Sequence, residues 1–318
     1  MRSPEVTRLA PSPTGALHLG NARTFLVNWA LARRNGWRIV LRIEDLDGPR
    51  VKPGAIERTV ATLAWLGMDW DVGPIVQSHD LEPYRAAMAR LASARLAYPC
   101  ELTRAQIESA ASAPQEGAHE TPFPAALRPE GVGPREFDNE ETNWRVVVGA
   151  GEIEFVDEFA GVQRHRPAES VGDFIVWTKR GQPSYQLAVV VDDHRQGVTQ
   201  IVRGDDLLDS AARQMVLYRM LGYENVPRYT HLPLVKGTDG KRLAKRHGDT
   251  RVDSYRDKGV AAERVIGLMA AWCAIVPREK PVPMSAAEFR ERLDLRTMPR
   301  ELIVFTAEDD RWLSCVTM

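Results

Sequence analysis

Cysteine is scarce: Cys100, Cys273 and Cys315 are the three in 318 residues, scattered and odd in number. They build neither a disulfide framework nor a cysteine-based zinc site, and such usage fits a reducing cytoplasm. No apolar run approaches the roughly 20 residues that a membrane helix needs, which excludes an integral membrane protein. The start, Met1-Arg2-Ser3-Pro4-Glu5-Val6-Thr7, lacks the positive segment and apolar stretch of a secretory signal. Neither sign of charge dominates, with 42 basic against 43 acidic side chains and a net charge of −1. Proteins that hold nucleic acid along a phosphate track are usually basic throughout, so any such contact falls here to a local patch. Glycine (23) and proline (21) are ordinary, which excludes collagen-like and low-complexity chains. What is present is a 44% hydrophobic chain whose length suits two globular units, or one with an insertion.

The first hundred residues alternate strand-like and helix-like patterns. Val6-Thr7-Arg8-Leu9-Ala10 reads as a strand, ended by the Pro-Ser-Pro-Thr-Gly turn at 11–15. A helix is expected from about His18 to Arg34, with Leu19, Ala22, Leu26, Trp29 and Ala30 at intervals of three and four, stopped by Asn35-Gly36. A second strand follows at 38–43 and runs into the polar loop Glu44-Asp45-Leu46-Asp47, with further helices at about 54–67 and 81–97. That order predicts an α/β fold with a doubly wound parallel sheet. Residues 101–142, rich in Ala, Pro, Gly and Glu, read as an inserted segment with one short helix near 103–112. Strands are expected at 143–148, 152–156, 173–179 and 198–202, and an apolar run at 187–191 precedes Asp192-Asp193-His194. A helix at about 207–221, a turn at 236–241 and helical patterns complete the chain.

Two segments could carry chemistry. Residues 11–21, Pro-Ser-Pro-Thr-Gly-Ala-Leu-His-Leu-Gly-Asn, leave a strand and open a helix, aiming backbone N–H groups and the positive dipole end at an anion such as phosphate. His18 could bond a phosphate oxygen there, and Gly20 would let a flat ring approach the backbone. The segment Lys241-Arg242-Leu243-Ala244-Lys245-Arg246-His247 sets five cationic or potentially cationic groups behind a glycine-containing turn, which suits the β- and γ-phosphates of a nucleotide. Taken singly, the first also fits a tight turn with one surface histidine, and the second a solvated basic loop.

Together, and in this order, the two resemble the signature pair of the class I aminoacyl-tRNA synthetases. His18-Leu19-Gly20-Asn21 is similar to their HIGH motif and Arg242-Leu243-Ala244-Lys245-Arg246 to their KMSKS motif. Arg8-Leu9-Ala10-Pro11-Ser12-Pro13-Thr14-Gly15, Arg42-Ile43-Glu44-Asp45-Leu46-Asp47, Pro183-Ser184-Tyr185-Gln186-Leu187-Ala188 and Ile201-Val202-Arg203-Gly204-Asp205-Asp206-Leu207 look like the glutamyl-tRNA synthetase group within that class. The likeness runs from about residue 5 to 250. It implies a glutamate pocket of Arg8, Leu9, Ala10, Pro11, Ser12, Glu44, Tyr185 and Arg203. It also implies an ATP site of His18, Gly20, Asn21, Arg242, Leu243 and Lys245, with His18 and Lys245 acting in catalysis. The chemistry agrees: arginine forks carboxylates, and an acidic group such as Glu44 receives an ammonium. A pairing of Glu44 with Arg42 or Arg50, and a half-buried structural Tyr185, are the bland alternatives.

Residues 247–318 are too few for the large anticodon-reading region of a conventional glutamyl-tRNA synthetase. This shape, with Pro299–Phe305 and Glu308–Leu313, resembles the truncated paralogues called glutamyl-queuosine tRNA(Asp) synthetases. The resemblance implies ATP-dependent activation of glutamate, with Mg²⁺ accompanying ATP, and transfer to queuosine in the tRNA(Asp) anticodon stem-loop. The alternatives are a compact synthetase charging a tRNA 3′ end and a non-catalytic paralogue binding tRNA or glutamate. The expected divisions are 1–97 and 171–235 for the halves of a Rossmann-like catalytic domain, 98–170 for an inserted subdomain, and 236–318 for the KMSKS-like loop and a helical region. Two departures stand out. Many relatives hold zinc through a Cys-x-Cys pair after Tyr-Pro, but Tyr98-Pro99-Cys100 is followed by Glu101-Leu102, so no zinc is expected; distant His119 is a poor substitute. Ala244 stands where the motif often has serine. With no heptad repeat, a monomer is expected.

Overall fold

A computed structural model of the chain describes residues 4–110, 121–241, 243 and 250–314. Its centre is a five-stranded, all-parallel sheet in the order Arg228–Leu232, Gln200–Gly204, Val6–Leu9, Arg38–Ile43, Val72–Val76. Alternation along the strands fills both faces. Leu9, Ile39, Leu41, Ile43 and Val202 point into one core with the helices Leu19–Asn35, Ala262–Trp272 and Ala286–Arg292. Val6, Val40, Ile201 and Tyr229 point into another with the helix Leu208–Met220. Coverage of both faces is what a parallel sheet requires, and it makes the domain doubly wound as expected.

The expected first helix runs Leu19–Asn35 and stops at Gly36, whose φ of 67° is the left-handed conformation that glycine adopts freely. Several strands were hidden in the sequence, Gly161–His165 and the central-sheet strand Arg228–Leu232 among them. Val72–Val76 carries Pro74, which a strand tolerates because this one forms the sheet edge. The helix expected to reach about 97 ends at Ser93, the chain reverses through Arg95 at φ 65°, and Ala97–Cys100 becomes a strand. That strand joins Asn143–Val146, Ile175–Thr178 and Gln182–Pro183 in an antiparallel sheet of four. Ile153–Asp157 and Gly161–His165 form a separate hairpin.

The apolar run at 187–191 lies within a helix, Tyr185–Arg195, opened by Ser184, whose Oγ accepts the Leu187 N–H. Residues Gln186 to Asp193 are all buried, polar Gln186, Asp192 and Asp193 included, so the helix is covered on every side and shows no amphipathic period to read. Cys100 packs with Tyr98, Ile107 and Phe123, and the Tyr98 hydroxyl donates to Asp173 at 2.7 Å. The Arg128 guanidinium closes on the same carboxylate at 2.6 and 2.7 Å. His119 lies outside the described residues, among which no cluster of three or more metal-ligating side chains occurs. No helix among them is long and apolar enough to cross a membrane.

Candidate active site

The order of the parallel strands reverses at Val6–Leu9, which pairs with Arg38–Ile43 on one side and Gln200–Gly204 on the other. Loops leaving such a reversal part from each other and open a crevice at the strands' carboxyl ends. A cavity of about 590 Å³ lies there. Arg8, Ala10, Pro11, Ser12, His18, Gly20, Asn21, Glu44, Tyr185, Arg203 and Leu243 all line it, drawn from both halves of the chain. Leu9 does not: its side chain is fully buried in the core beneath. Arg242 and Lys245 lie outside the described residues.

His18 is the N-cap of Leu19–Asn35, with extended backbone, and the first turn of that helix holds no acidic residue that would compete with an anion. Its Nδ1 lies 3.2 Å from the Thr250 hydroxyl, and the Leu19 N–H donates to the Thr250 carbonyl at 3.0 Å. Leu243 and Thr250, the described residues on either side of 244–249, are thus both tied to this crevice. At Gly20 the close approach is made by protein, since a Cβ there would stand 3.2 Å from the Val235 Cβ.

The floor is a charge network that sequence reasoning saw only in part. Arg42, fully buried, donates from Nη1 to Asp193 at 2.7 Å and to Gln196 at 2.9 Å, and from Nη2 to Glu44 at 3.0 Å. Arg8 pairs with the same Asp193 oxygen at 3.4 Å. Asp192 accepts from Gln77 at 2.7 Å and the Tyr84 hydroxyl at 2.9 Å, and pairs with Arg195 at 2.8 Å. The alternative pairing of Glu44 with Arg42 is therefore real, yet Glu44 also lines the cavity and can serve both purposes. Burial pushes the Glu44 carboxyl above its usual range against the pull of Arg42 and Arg8, so a ligand ammonium would add a counter-charge that favours its ionised form. Tyr185, the first residue of its helix, is 40% exposed at the cavity mouth and is not a core residue.

Arg203 is 5% exposed and lines the cavity, and the hydrogen bonds that hold it go to uncharged groups. Sequence reasoning missed what holds it: Gln214 Oε1 at 2.9 Å, the Leu207 carbonyl at 3.2 Å and His231 Nε2 at 2.9 Å. A histidine inside an otherwise strand-forming stretch was the available signal, but its partner depends on cross-strand register. A wider cleft of about 990 Å³ shares Ser12, Glu44 and Tyr185 with the cavity and is lined by Arg104, Arg145, Arg180 and Arg213.

The chain matches a family model described as tRNA synthetases class I (E and Q), catalytic domain, over residues 5–306. It is 46% identical over 313 residues to a glutamyl-Q tRNA(Asp) synthetase of Symbiobacterium thermophilum, covering 95% of this chain and 96% of that one. It is 44% identical to that of Rhodopirellula baltica over 87% of each chain. Against a glutamate–tRNA ligase of Azorhizobium caulinodans the identity is 40%, but only 54% of that longer chain is covered. Among solved structures, a glutamate tRNA ligase from Elizabethkingia meningosepticum, in complex with its amino acid, aligns with a TM-score of 0.77 at 26% identity, covering 98% of this chain and 69% of that one. The chain belongs to the class I glutamyl- and glutaminyl-tRNA synthetase family and, within it, to the glutamyl-Q tRNA(Asp) synthetase group.

Proposed function

We propose that this chain activates glutamate with ATP and transfers the glutamyl group to the queuosine base in the anticodon of tRNA(Asp). The observation that carries the reading is the convergence of Arg8, Glu44, Arg203 and His18 on one cavity at the strand-order reversal. Two arginines suit the two carboxylates of glutamate, and Glu44 suits its ammonium. The substrate α-carboxylate attacks the α-phosphorus of ATP, the bond to the β-phosphate breaks, and pyrophosphate leaves. His18 and the helix N-terminus stabilise the charge that develops on the phosphates, with Lys245 and Arg242 supplying cations from the second motif. Mg²⁺ arrives with ATP as a substrate complex. A queuosine hydroxyl then attacks the activated acyl carbon and AMP departs, with no covalent enzyme intermediate. The arginine-lined cleft that opens onto Glu44 and Tyr185 suits an acceptor approaching with its phosphates. The working form is a cytoplasmic monomer whose residues 98–170 form an acceptor-side subdomain.

Isotope exchange between ATP and pyrophosphate tests the first step. Exchange is expected with glutamate alone, in the absence of tRNA, and not with aspartate or glutamine. Absence of exchange with glutamate, with or without tRNA, contradicts the reading and leaves a binding paralogue.

A further inference from the structure

Arg203 differs from the other buried arginines of the crevice. Arg8 and Arg42 share Asp193, whereas Arg203 is nearly buried with only neutral groups in hydrogen-bond contact. Its guanidinium lies over the Tyr229 ring, 5.2 Å from the ring centre. A buried cation without a counter-ion is costly unless a ligand supplies one, and its aim then decides affinity.

The aim is set from the neighbouring strand. Arg203 and His231 are register partners in adjacent parallel strands, so their side chains leave the same face side by side. Arg203 donates from Nε to His231 Nε2 at 2.9 Å. A guanidinium has donors only, so Nε2 must carry its lone pair and the imidazole proton sits on Nδ1. Nδ1 lies 2.7 Å from Asp157 Oδ2. Asp157 is itself immobilised: its carboxylate accepts the backbone N–H groups of Phe159 at 3.0 Å, Ala160 at 2.7 Å and His231 at 3.1 Å. Both Asp157 and His231 are 1% exposed and neither lines the cavity. Three strands, one from the hairpin and the two outermost on one side of the parallel sheet, thus place one ordered row of donors and acceptors behind a single arginine.

We propose that Asp157 and His231 are positioning residues for substrate recognition: Asp157 holds His231 as the Nδ1–H tautomer, and its bare Nε2 fixes the Arg203 guanidinium so that the remaining N–H groups face a substrate carboxylate. This rests on the reading that Arg203 binds glutamate. Burial, together with the Arg203 charge, holds the imidazole below its usual range despite Asp157, which keeps Nε2 able to accept. A protonated ring would present an N–H to an N–H and turn the arginine away.

The two amides nearest in shape to histidine separate positioning from mere packing. His231→Gln places an acceptor where Nε2 stood, while His231→Asn keeps a donor toward Asp157 but withdraws from Arg203. In glutamate-dependent pyrophosphate exchange, His231→Asn is expected to raise the KM for glutamate about 10–100-fold, the scale of losing alignment of one charge-assisted hydrogen bond. The KM for ATP should stay within about twofold and His231→Gln should recover most of the glutamate affinity. Asp157→Asn, which frees the ring to take the other tautomer, reaches the same test by a second route and should raise the glutamate KM about tenfold. Melting curves of all variants report folding separately. Equal glutamate KM values for the Gln and Asn variants, or an unchanged KM in Asp157→Asn, overturn the proposal. Arg203→Ala distinguishes the two levels: an unchanged glutamate KM there means the pocket reading itself has failed, whereas a large rise there without one in His231→Asn means only the positioning role has.

Discussion

Replacement of His18 by alanine is expected to lower the kcat of glutamate-dependent pyrophosphate exchange by about 10²–10³, the usual cost of removing one donor that acts on developing charge. The KM for glutamate should change little, because Arg8, Glu44 and Arg203 are left in place. The reason is geometric. His18 is the N-cap of Leu19–Asn35, so its ring stands at the positive end of that helix on the cavity wall, and its Nδ1 lies beside the Thr250 hydroxyl. An interaction made mainly in the transition state appears in kcat; one made equally in the ground state appears in KM. A loss confined to KM, or a decrease of less than about threefold, contradicts this role for His18.

The second large effect is on stability. Asp193→Ala is expected to cost about 3–5 kcal/mol in chemical denaturation, seen as a lower midpoint with an unchanged slope. Asp193 is 1% exposed and holds Arg42 at 2.7 Å and Arg8 at 3.4 Å, so its removal strips two buried guanidiniums of their shared carboxylate. Asp193→Asn keeps an acceptor in place and should be milder. A change below about 1 kcal/mol for Asp193→Ala means the two arginines find water or other partners, and that the network does not hold the crevice floor.

Much of this was legible before any coordinates. The strand–turn–helix of residues 6–35, the Gly36 stop and the second strand at 38–43 follow local rules of period and termination, and the folded chain obeys them. The motif spacing likewise brought Arg8, His18, Glu44 and Arg203 into one account, and they do share a cavity. What escaped depends on tertiary context. Val72–Val76 is hidden by Pro74 until its edge position is known, and Tyr185–Arg195 is hidden by being buried on all sides. The pairing of His231 with Arg203 needs the register of two strands that are separated in sequence by a helix. Leu9 differs from its neighbours in the motif: alternation along a four-residue strand sends its side chain into the core while Arg8 lines the cavity.

The central claim is the identity of the acceptor, and one transfer assay addresses it. Purified protein, ATP, Mg²⁺ and radiolabelled glutamate are incubated separately with tRNA(Asp) containing queuosine, tRNA(Asp) lacking it, and tRNA(Glu). Label is expected on the queuosine-containing tRNA(Asp) alone. Label on tRNA(Glu), or equal label on both forms of tRNA(Asp), would contradict the account and indicate a synthetase that charges the 3′ end.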